Sequence, residues 1–239
     1  MVIRKNIKTK FALISVYDKS KLKYLCNNLK TYNYKFISTG STCKKIKSLG
    51  FECYEISKIT KFKEILDGRV KTLNPKIFGS ILHLRNNKKH LKEFSSLEFP
   101  QIDIVVVNLY PFEKISKSKK DSDIVEMIDV GGNSLLRASS KNYKYITSIF
   151  KTDDYIKLAQ NLKINNGSTD LNFRKGMAAK TFKETSRYDE IISKWLNLGK
   201  SSEFKKNLRY GENPNQRSFI IHNNQTSIFD LQLNGKRLS

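Results

Sequence analysis

Short β-branched runs alternate with helical patterns over the first two-thirds of the chain. The run at 101–110, QIDIVVVNLY, is nearly continuous in apolar residues, which is typical of a strand buried on both faces of a parallel sheet. Shorter runs of the same kind predict strands at 11–17, 34–39, 51–57 and 143–150. The alternation predicts an α/β fold in which helices flank a parallel sheet.

Helical periodicity and capping residues mark the segments between these strands. Asp and Ser precede the first periodic stretch, and acidic residues begin the stretch at 153–163, as the positive end of a helix dipole favours. The pattern predicts helices at 18–33, 40–50, 130–142, 153–163 and 171–198, with shorter helical pieces at 61–66 and 88–97.

The character of the chain changes after Gly199. Residues 199–207 are polar and predict a linker, and the remainder is rich in turn residues with one strand-like run at 218–222. A segment of this length is too short to bury a core of its own. We therefore expect an α/β domain at 1–199, followed at 200–239 by a linker and the short start of a second α/β domain.

The charge balance first suggests a nucleic-acid partner. The 239 residues include 45 Lys and Arg against 22 Asp and Glu, which gives a formal net charge of +23. However, 36 of these cations are lysines and only 9 are the arginines that nucleic-acid readers favour, and they are spread over the whole chain. Codon usage in an A/T-rich genome explains this better, so we expect no nucleic-acid partner and only a general attraction for anionic substrates.

Cysteine and histidine give no sign of a metal site. The three cysteines and three histidines are scattered without ligand spacing, so we expect no metal and a reducing compartment. No apolar run approaches the roughly 18 residues of a membrane span. The basic N-terminus also lacks the long apolar region of a signal peptide. These features predict a cytoplasmic protein without membrane contact.

Two polar motifs follow predicted strands that are neighbours along the chain. STGST at 38–42 places glycine and hydroxyl residues where a strand turns into a helix, which exposes backbone N–H groups to a phosphate. SVYDKS at 15–20 ends the preceding strand, so Ser15 and Lys19 are placed to meet the same phosphate. Taken alone, both motifs also fit ordinary helix caps beside a solvated lysine.

A third motif, DGRVKTLNP at 67–75, holds a basic pair between a glycine and a proline, two conformationally restricted residues. Arg69 suits an anion, and Lys71 suits a base or an oxyanion donor if it is desolvated. A plain surface turn would explain the same residues.

Two further motifs lie near the clearest strand. NLYPF at 108–112 follows it directly, at the edge where open α/β sheets bind ligands, and the following proline keeps Tyr110 extended. IDVGGNSLLRASSK at 128–141 places Asp129 before a Gly-Gly turn and Lys141 at the end of the next helix. A Gly-Gly turn before a helix also occurs for packing alone.

Together the motifs are far more specific than any one of them. In this order, and followed by AAKTFKETSRYD at 178–189 and LRYGENPNQ at 208–216, they resemble the bifunctional purine biosynthesis family, in which IMP cyclohydrolase is joined to AICAR formyltransferase. The resemblance covers residues 10–239, and GRVKTL, NLYPF and RYGENP are rare strings elsewhere. It implies a methylglyoxal-synthase-like fold for 1–199 and closure of formyl-AICAR to IMP with loss of water.

The resemblance also implies three groups of residues around the nucleotide. The phosphate would be held by Ser15, Lys19, Thr39, Gly40, Ser41 and Thr42. The GRVKT loop would contribute Arg69, Lys71 and Thr72. The base would be surrounded by Asn108, Tyr110, Asp129, Gly131, Gly132 and Lys141.

The chemistry of ring closure suits these side chains. The carboxamide nitrogen attacks the formyl carbon, and Asp129 can accept its proton. Lys71, Lys141 and Tyr110 can donate to the developing oxyanion and to the leaving hydroxyl. The resemblance implies no metal or organic cofactor for this step.

The chain departs from the family pattern at several positions. Asn74, Phe78 and Asn215 stand where the family has histidines. Ser41 replaces a glycine of the TGGT turn, and Tyr17 replaces a serine of SVSDK. We expect these changes to affect rate and affinity rather than identity, since the catalytic positions are retained.

The second domain of the family begins near RYGENP. Arg209 and Tyr210 match positions that contact AICAR, while the catalytic lysine–histidine pair and asparagine are expected beyond Ser239. We therefore expect transfer of a formyl group from 10-formyltetrahydrofolate, the co-substrate of that domain, only if the rest of the domain is supplied. The resemblance further implies a homodimer.

Other classes stay open as alternatives. A decayed remnant, or a partner subunit of a separate transformylase, fits the lost histidines but not the retained catalytic positions. A nucleic-acid-binding protein requires clustered arginines and an aromatic face, which the sequence lacks. A methylglyoxal synthase shares only the architecture, and the GRVKTL and NLYPF strings speak against it.

Overall fold

The computed structural model describes residues 9–112, 121–196, 204–207 and 219–222. The strands are β1 (Lys10–Val16), β2 (Lys35–Ser38), β3 (Cys53–Glu55), β4 (Gln101–Asn108), β5 (Thr147–Ile149), β6 (Phe204–Asn207) and β7 (Phe219–His222). The helices are α1 (Leu22–Thr31), α2 (Gly40–Ser48), α3 (Ile56–Thr60), α4 (Pro75–Leu82), α5 (Lys88–Ser96), α6 (Asp121–Val125), α7 (Val130–Lys141), α8 (Asp154–Ile164) and α9 (Leu171–Leu196). A 3₁₀ turn spans Leu66–Gly68.

Five strands form one parallel sheet in the order β3-β2-β1-β4-β5. The chain moves from β1 outward to β3 on one side and then crosses over to β4 on the other, so its direction reverses between β1 and β4. Loops leave these two strands in opposite directions and open a crevice at their carboxyl ends. The expectation of a parallel sheet flanked by helices is confirmed.

Helices cover both faces of the sheet, because alternate side chains of each strand point to opposite faces. Ala12, Ile14 and Val16 of β1 lie in one hydrophobic core with buried residues of α1, α2 and α8. Leu13 of β1 lies in a second core with Val105 of β4 and buried residues of α3, α4 and α7. Burial on both faces explains why β4 is nearly uniform in apolar residues.

A β-bulge adjusts the pairing of the two central strands. Phe11 pairs with Ile102 and the next residue, Ala12, pairs with Ile104, so Asp103 is the extra residue. Its carboxylate forms an ion pair with Arg85 Nη2 at 2.7 Å, and both side chains are largely buried. The pair satisfies a carboxylate that would otherwise be costly to bury.

Four expectations about individual segments are wrong. The strand expected at 143–150 is limited to Thr147–Ile149, since residues 142–145 form a turn. No helix forms at 61–66, where Leu66 and Asp67 adopt left-handed backbone angles and Ile65 instead pairs with Val70 as an isolated bridge. The strand expected at 51–57 is limited to Cys53–Glu55, since Ile56 begins α3. The linker expected at 199–207 contains β6.

Three of the described helices were not expected: α3, α6 and α4. The start of α4 has clear signals in the sequence. Asn74 is its N-cap, with Oδ1 accepting a hydrogen bond from Lys76 N at 2.9 Å, and Pro75 occupies the first turn. Both residues favour a helix start.

The chain divides into two compact units, Met1–Asp189 and Glu190–Ser239. Within the second unit β6 and β7 pair in antiparallel register, Phe204 opposite His222 and Asn207 opposite Phe219. The strand expected at 218–222 is therefore present as β7.

Two helical glycines provide a test of the packing. A Cβ added at Gly79 in α4 would lie 2.2 Å from Phe99 Cε2, and Phe99 is held edge-on against Phe94. We expect Gly79→Ala to lower the free energy of unfolding by about 1–3 kcal/mol, because overpacking outweighs the gain in helix propensity. Urea unfolding measures the change.

Gly176 in α9 is the matched control, since a Cβ there meets nothing within 4 Å. We expect Gly176→Ala to raise the free energy of unfolding by about 0.5–1 kcal/mol, as alanine does in a helix interior. Equal stabilisation by both substitutions would contradict the packing described around Gly79.

Candidate functional site

A cavity of about 700 Å³ opens at the carboxyl ends of β1, β2 and β4. Val16 and Asn108, the last residues of β1 and β4, are partners in register, so the cavity lies at the point where the strand order reverses. Ligands bind at this position in open α/β sheets.

The start of α2 forms one end of the cavity. Thr39 is the N-cap of α2, and in the described part of the chain its side chain makes no capping bond. The first backbone N–H groups of the helix, from Gly40, Ser41 and Thr42, have no intrahelical acceptor. They and the helix dipole favour an anion at this end of the cavity.

Both threonine hydroxyls of the STGST motif at 38–42 contact protein atoms. Thr42 Oγ1 donates to Val16 O at 3.0 Å and accepts from Val16 N at 3.2 Å, which ties α2 to the end of β1. Ser15 Oγ and Thr39 Oγ1 lie 3.0 Å apart in a hydrogen bond. The backbone N–H of Thr42 therefore remains available to an anion, while the Thr42 hydroxyl is bonded to the end of β1.

Asn108 holds the turn that carries Lys19. Its Oδ1 accepts from Asp18 N at 2.8 Å, and its Nδ2 donates to Asp18 O at 3.4 Å. Lys19 Nζ donates to Tyr17 O at 3.2 Å, within the same turn. The side-chain amide of Asn108 thus bonds to the backbone of Asp18, and this holds the turn that places Lys19 at the cavity.

The loop after the 3₁₀ turn brings two cations to the cavity, each beside a carboxylate. Arg69 forms two hydrogen bonds with Glu126, and this carboxylate raises the pKa of Arg69. Lys71 Nζ lies 3.8 Å from Glu64 Oε2. An anionic ligand that binds these cations has to compete with the two glutamates.

Asp129 stands at the start of α7. Its Oδ1 accepts from Gly132 N at 2.6 Å, the N-cap arrangement that aspartate favours. Burial raises the pKa of the Asp129 carboxyl, while the Gly132 N–H and the charge of Lys71 lower it, and the net shift is upward. A partly buried carboxylate with a raised pKa is suited to accept a proton.

Glycine is required at positions 131 and 132 because neighbouring side chains lie too close to the backbone to leave room for a Cβ. A Cβ at Gly131 would lie 2.6 Å from Thr72 Oγ1, and one at Gly132 would lie 2.4 Å from Asp129 Oδ2. The Gly-Gly pair therefore lets the start of α7 pack directly against the loop that carries Lys71.

Two tyrosines face each other at the cavity. The rings of Tyr17 and Tyr110 have centroids 5.2 Å apart and are tilted by 58°, and the residues are 51% and 38% exposed. Burial first, and then the charges of Asp129 and Tyr17, raise the pKa of Tyr110. The phenol of Tyr110 stays protonated at neutral pH and remains a donor.

The structure brings nearly all of the sequence-predicted residues together around this cavity. Those that line it are Ser15, Lys19, Thr39, Gly40, Ser41, Thr42, Arg69, Lys71, Thr72, Asn108, Tyr110, Asp129, Gly131 and Gly132.

Lys141 is the exception. It lies in the last turn of α7, a 12-residue helix about 18 Å long at 1.5 Å per residue, whose first turn carries the glycine pair. There Lys141 borders a different cavity with Phe78, Arg137 and Phe182. The prediction that Lys141 joins the same group of residues is therefore not met within one chain. Arg209 and Tyr210 lie outside the described residues.

Sequence reasoning missed several lining residues, among them Asp67, Gly68, Tyr17, Val125, Glu126, Ile128 and Val130. Glu126 matters most, because it holds Arg69 from a position 57 residues further along the chain. The only signal was an acidic segment, DSDIVEM, in a strongly basic sequence.

The departures from the family pattern divide into two groups. Tyr17 and Ser41 line the cavity, whereas Asn74 and Phe78 do not. Asn74 caps α4, and Phe78 is partly buried against the core. Asn215 lies outside the described residues.

Within residues 9–112, 121–196 and the two short strands after them, no group of three or more His, Cys, Asp or Glu is arranged to hold a metal ion. None of the helices in that same part of the chain combines the length and apolar character that a bilayer crossing requires.

Comparisons with protein families agree with the geometry. A model of the MGS-like domain matches residues 21–134, and a model of the AICARFT/IMPCHase bienzyme matches residues 139–239. The bifunctional purine biosynthesis protein PurH of Bacteroides thetaiotaomicron is 39% identical, over 98% of this chain and 47% of that protein. Proteins of the same name from Caldicellulosiruptor bescii and Clostridium perfringens are each 41% identical, over 96% of this chain and 48% of theirs.

The chain spans about half the length of the curated relatives it matches. The crystal structure of ForH is similar with a TM-score of 0.69 and 26% identity, covering 79% of this chain and 98% of that chain. These matches confirm the expected MGS-like α/β fold. The chain belongs to the bifunctional purine biosynthesis family, of which it matches the amino-terminal half.

Proposed function

We propose that this chain is an IMP cyclohydrolase, which closes the ring of formyl-AICAR to give IMP and water. One observation carries the proposal: a single cavity holds the anion-binding start of α2 at one end and the group Lys71, Tyr110 and Asp129 beside it. The relatives, named bifunctional purine biosynthesis proteins, support the substrate class.

The phosphate is proposed to bind at the start of α2. The free N–H groups of Gly40, Ser41 and Thr42 and the ammonium of Lys19 supply donors to its oxygens. Arg69 lies along the same cavity and can exchange Glu126 for a substrate oxygen. Binding energy from the phosphate then holds the reacting groups in place.

Ring closure forms one C–N bond and breaks one C–O bond. Asp129 takes a proton from the carboxamide nitrogen as that nitrogen attacks the formyl carbon. Lys71 and Tyr110 donate a proton to the formyl oxygen, which becomes a hydroxyl. The formamide nitrogen then returns a proton to these donors, and its bond to the formyl carbon becomes the C=N bond of the ring. The hydroxyl takes up the proton that Asp129 accepted and leaves as water. Each such transfer contributes about 10²–10⁴ in rate.

The proposed activity belongs to one part of the chain. We propose that the cyclohydrolase unit lies within 1–199, and that 200–239 begins a formyltransferase domain. 10-Formyltetrahydrofolate is the proposed co-substrate of that second domain, and the cyclohydrolase step uses no cofactor. A cytoplasmic location is part of the same proposal. A decayed remnant is disfavoured because Lys71, Tyr110 and Asp129 are all retained at the cavity.

Lys141 leads to a proposal about assembly. Its position at the far end of α7 means that it can act in this cavity only from a second copy of the chain. We therefore propose a homodimer in which one chain supplies Lys71 and its partner supplies Lys141.

Replacing Lys71 tests the catalytic group directly. We expect Lys71→Ala to lower the rate of IMP formation from formyl-AICAR by about 10²–10⁴, because an oxyanion donor is lost. The ultraviolet absorbance change without folate measures the rate. Lys163→Ala, in the last turn of α8, is the matched control and should retain the wild-type rate. Absence of activity in the folded wild type would exclude the proposal for this chain alone.

The raised pKa of Asp129 predicts the pH dependence. Activity needs the ionised carboxylate, so kcat should fall on acidification at a pH above the ordinary pKa of an aspartate. Asp129→Asn should remove this acidic limb and lower kcat by about 10²–10⁴.

The stability of the same variant separates catalysis from folding. The pKa of Asp129 is higher in the folded than in the unfolded chain. The free energy of unfolding therefore falls as the pH rises from the unfolded-state pKa to the folded-state pKa. Asn also caps helices, and we expect Asp129→Asn to unfold at an equal or higher temperature than wild type at pH 7. A lower unfolding temperature would mean that the ionised carboxylate stabilises the fold, contrary to the raised pKa.

The homodimer is tested by mixing two inactive variants. If each site uses Lys71 of one chain and Lys141 of the other, exchanged Lys71→Ala and Lys141→Ala chains form mixed dimers with one intact site. Random exchange should restore roughly a quarter of the wild-type activity. No recovery after verified exchange, or full activity of Lys141→Ala alone, would refute the shared site.

A further inference from the structure

The AAKTFKETSRYD motif forms part of α9, and its end meets the start of α7. Tyr188 Oη accepts a hydrogen bond from Asp129 N at 2.9 Å and donates one to Met127 O at 3.2 Å. The residue is only 4% exposed. One buried hydroxyl thus bonds to backbone groups on both sides of Ile128. This is the segment that leads into α7, and Asp129, the N-cap of α7, carries the carboxylate.

The residue that follows Tyr188 makes a second link to α7. Asn133 Nδ2 donates to Asp189 Oδ1 at 2.9 Å, one turn into the helix. Two consecutive residues of α9 therefore hold the chain before and after the Gly-Gly pair.

The ring of Tyr188 is fixed as well. It packs edge-on against Phe112, with ring centroids 6.3 Å apart. Burial raises the pKa of Tyr188 to about 12, so its hydroxyl stays protonated at neutral pH and continues to donate to Met127 O. The two hydrogen bonds form one persistent link.

We propose that Tyr188 is a positioning residue: by holding the backbone of Met127 and Asp129, it fixes the Asp129 carboxylate inside the cavity. Tyr188 is not among the residues that line the cavity, and we assign it no contact with the reacting atoms. Its importance for ring closure rests on the function proposed above, whereas the positioning itself does not.

Three titratable groups face Asp129 from three different segments. They are Lys71 in the loop after the 3₁₀ turn, Tyr110 after β4 and Tyr188 in α9. Without the Tyr188 hydroxyl, the backbone N–H of Asp129 and the carbonyl of Met127 lose their partners and need water instead. A turn that shifts toward water carries the carboxylate with it and ends its desolvation.

Tyr188→Phe removes the hydroxyl and keeps the ring. The first readout, the pKa of Asp129 measured by carbon NMR of the carboxyl group, does not depend on catalysis. We expect this pKa to fall toward the ordinary aspartate value. In the activity assay we expect kcat to fall by about tenfold or more, with its acidic limb at lower pH and KM within about twofold, since a misplaced base affects the reaction more than phosphate binding.

Tyr34→Phe is the matched control. Tyr34 is equally buried, at 3% exposed, and its hydroxyl donates to Gly167 O at 3.2 Å, a contact outside the cavity. It should leave kcat and the Asp129 pKa unchanged. Asn133→Ala removes only the second link and should shift both quantities in the same direction by a smaller amount.

An unchanged Asp129 pKa in folded Tyr188→Phe would overturn the proposal, and so would an equal shift in Tyr34→Phe. If Tyr188→Phe does not fold, amide hydrogen exchange of the wild type decides the question: the Asp129 N–H should be protected, and exchange as fast as in an unprotected amide would mean that Tyr188 does not hold this backbone. A wild-type protein that shows no cyclohydrolase activity would refute the proposed function, while the NMR titration would still decide whether Tyr188 positions Asp129.

Discussion

The parallel pairing of β1 with β4 is the constraint on which the candidate site depends. Val16 and Asn108 end these strands as partners, and the chain leaves them in opposite directions. No connecting segment can then cover the carboxyl ends of both strands, so a crevice remains. The start of α2, the turn around Lys19 and the loop around Tyr110 all take their places from this edge of the sheet.

Side chains that look like ligands in the sequence also build the frame. The hydroxyl of Thr42 and the amide of Asn108 bond to backbone atoms at the end of β1 and just beyond it. They hold the strand ends in place and leave backbone N–H groups and charged side chains available to an anion. The cations are not free either, since Arg69 and Lys71 lie beside Glu126 and Glu64. A net charge of +23 therefore attracts anions at long range, while the choice among them depends on which anion displaces these carboxylates.

The local sequence pattern was reliable where one segment determines its own structure, as in the apolar run of β4 and the acidic first turn of α8. It failed at 61–66, where helical spacing is present but the chain pairs Ile65 with Val70 across a left-handed turn. It also missed α4, although Asn74 and Pro75 are ordinary start signals, because few polar positions interrupt its short apolar sequence.

The sequence alone determined the parallel sheet and the helix-start motif beside it, because the spacing of apolar and polar residues marks strand ends. It also identified most residues around the cavity, because the order of its motifs resembles that of a known family. Only the tertiary structure decided which residues meet across distant segments. In the folded chain Arg69 bonds to Glu126 and Tyr188 bonds to Asp129, and Lys141 lies at a different cavity from the residues it was expected to accompany. The physical reason is that pairings across the fold depend on how helices pack on the sheet, whereas sequence spacing describes only one strand or helix at a time.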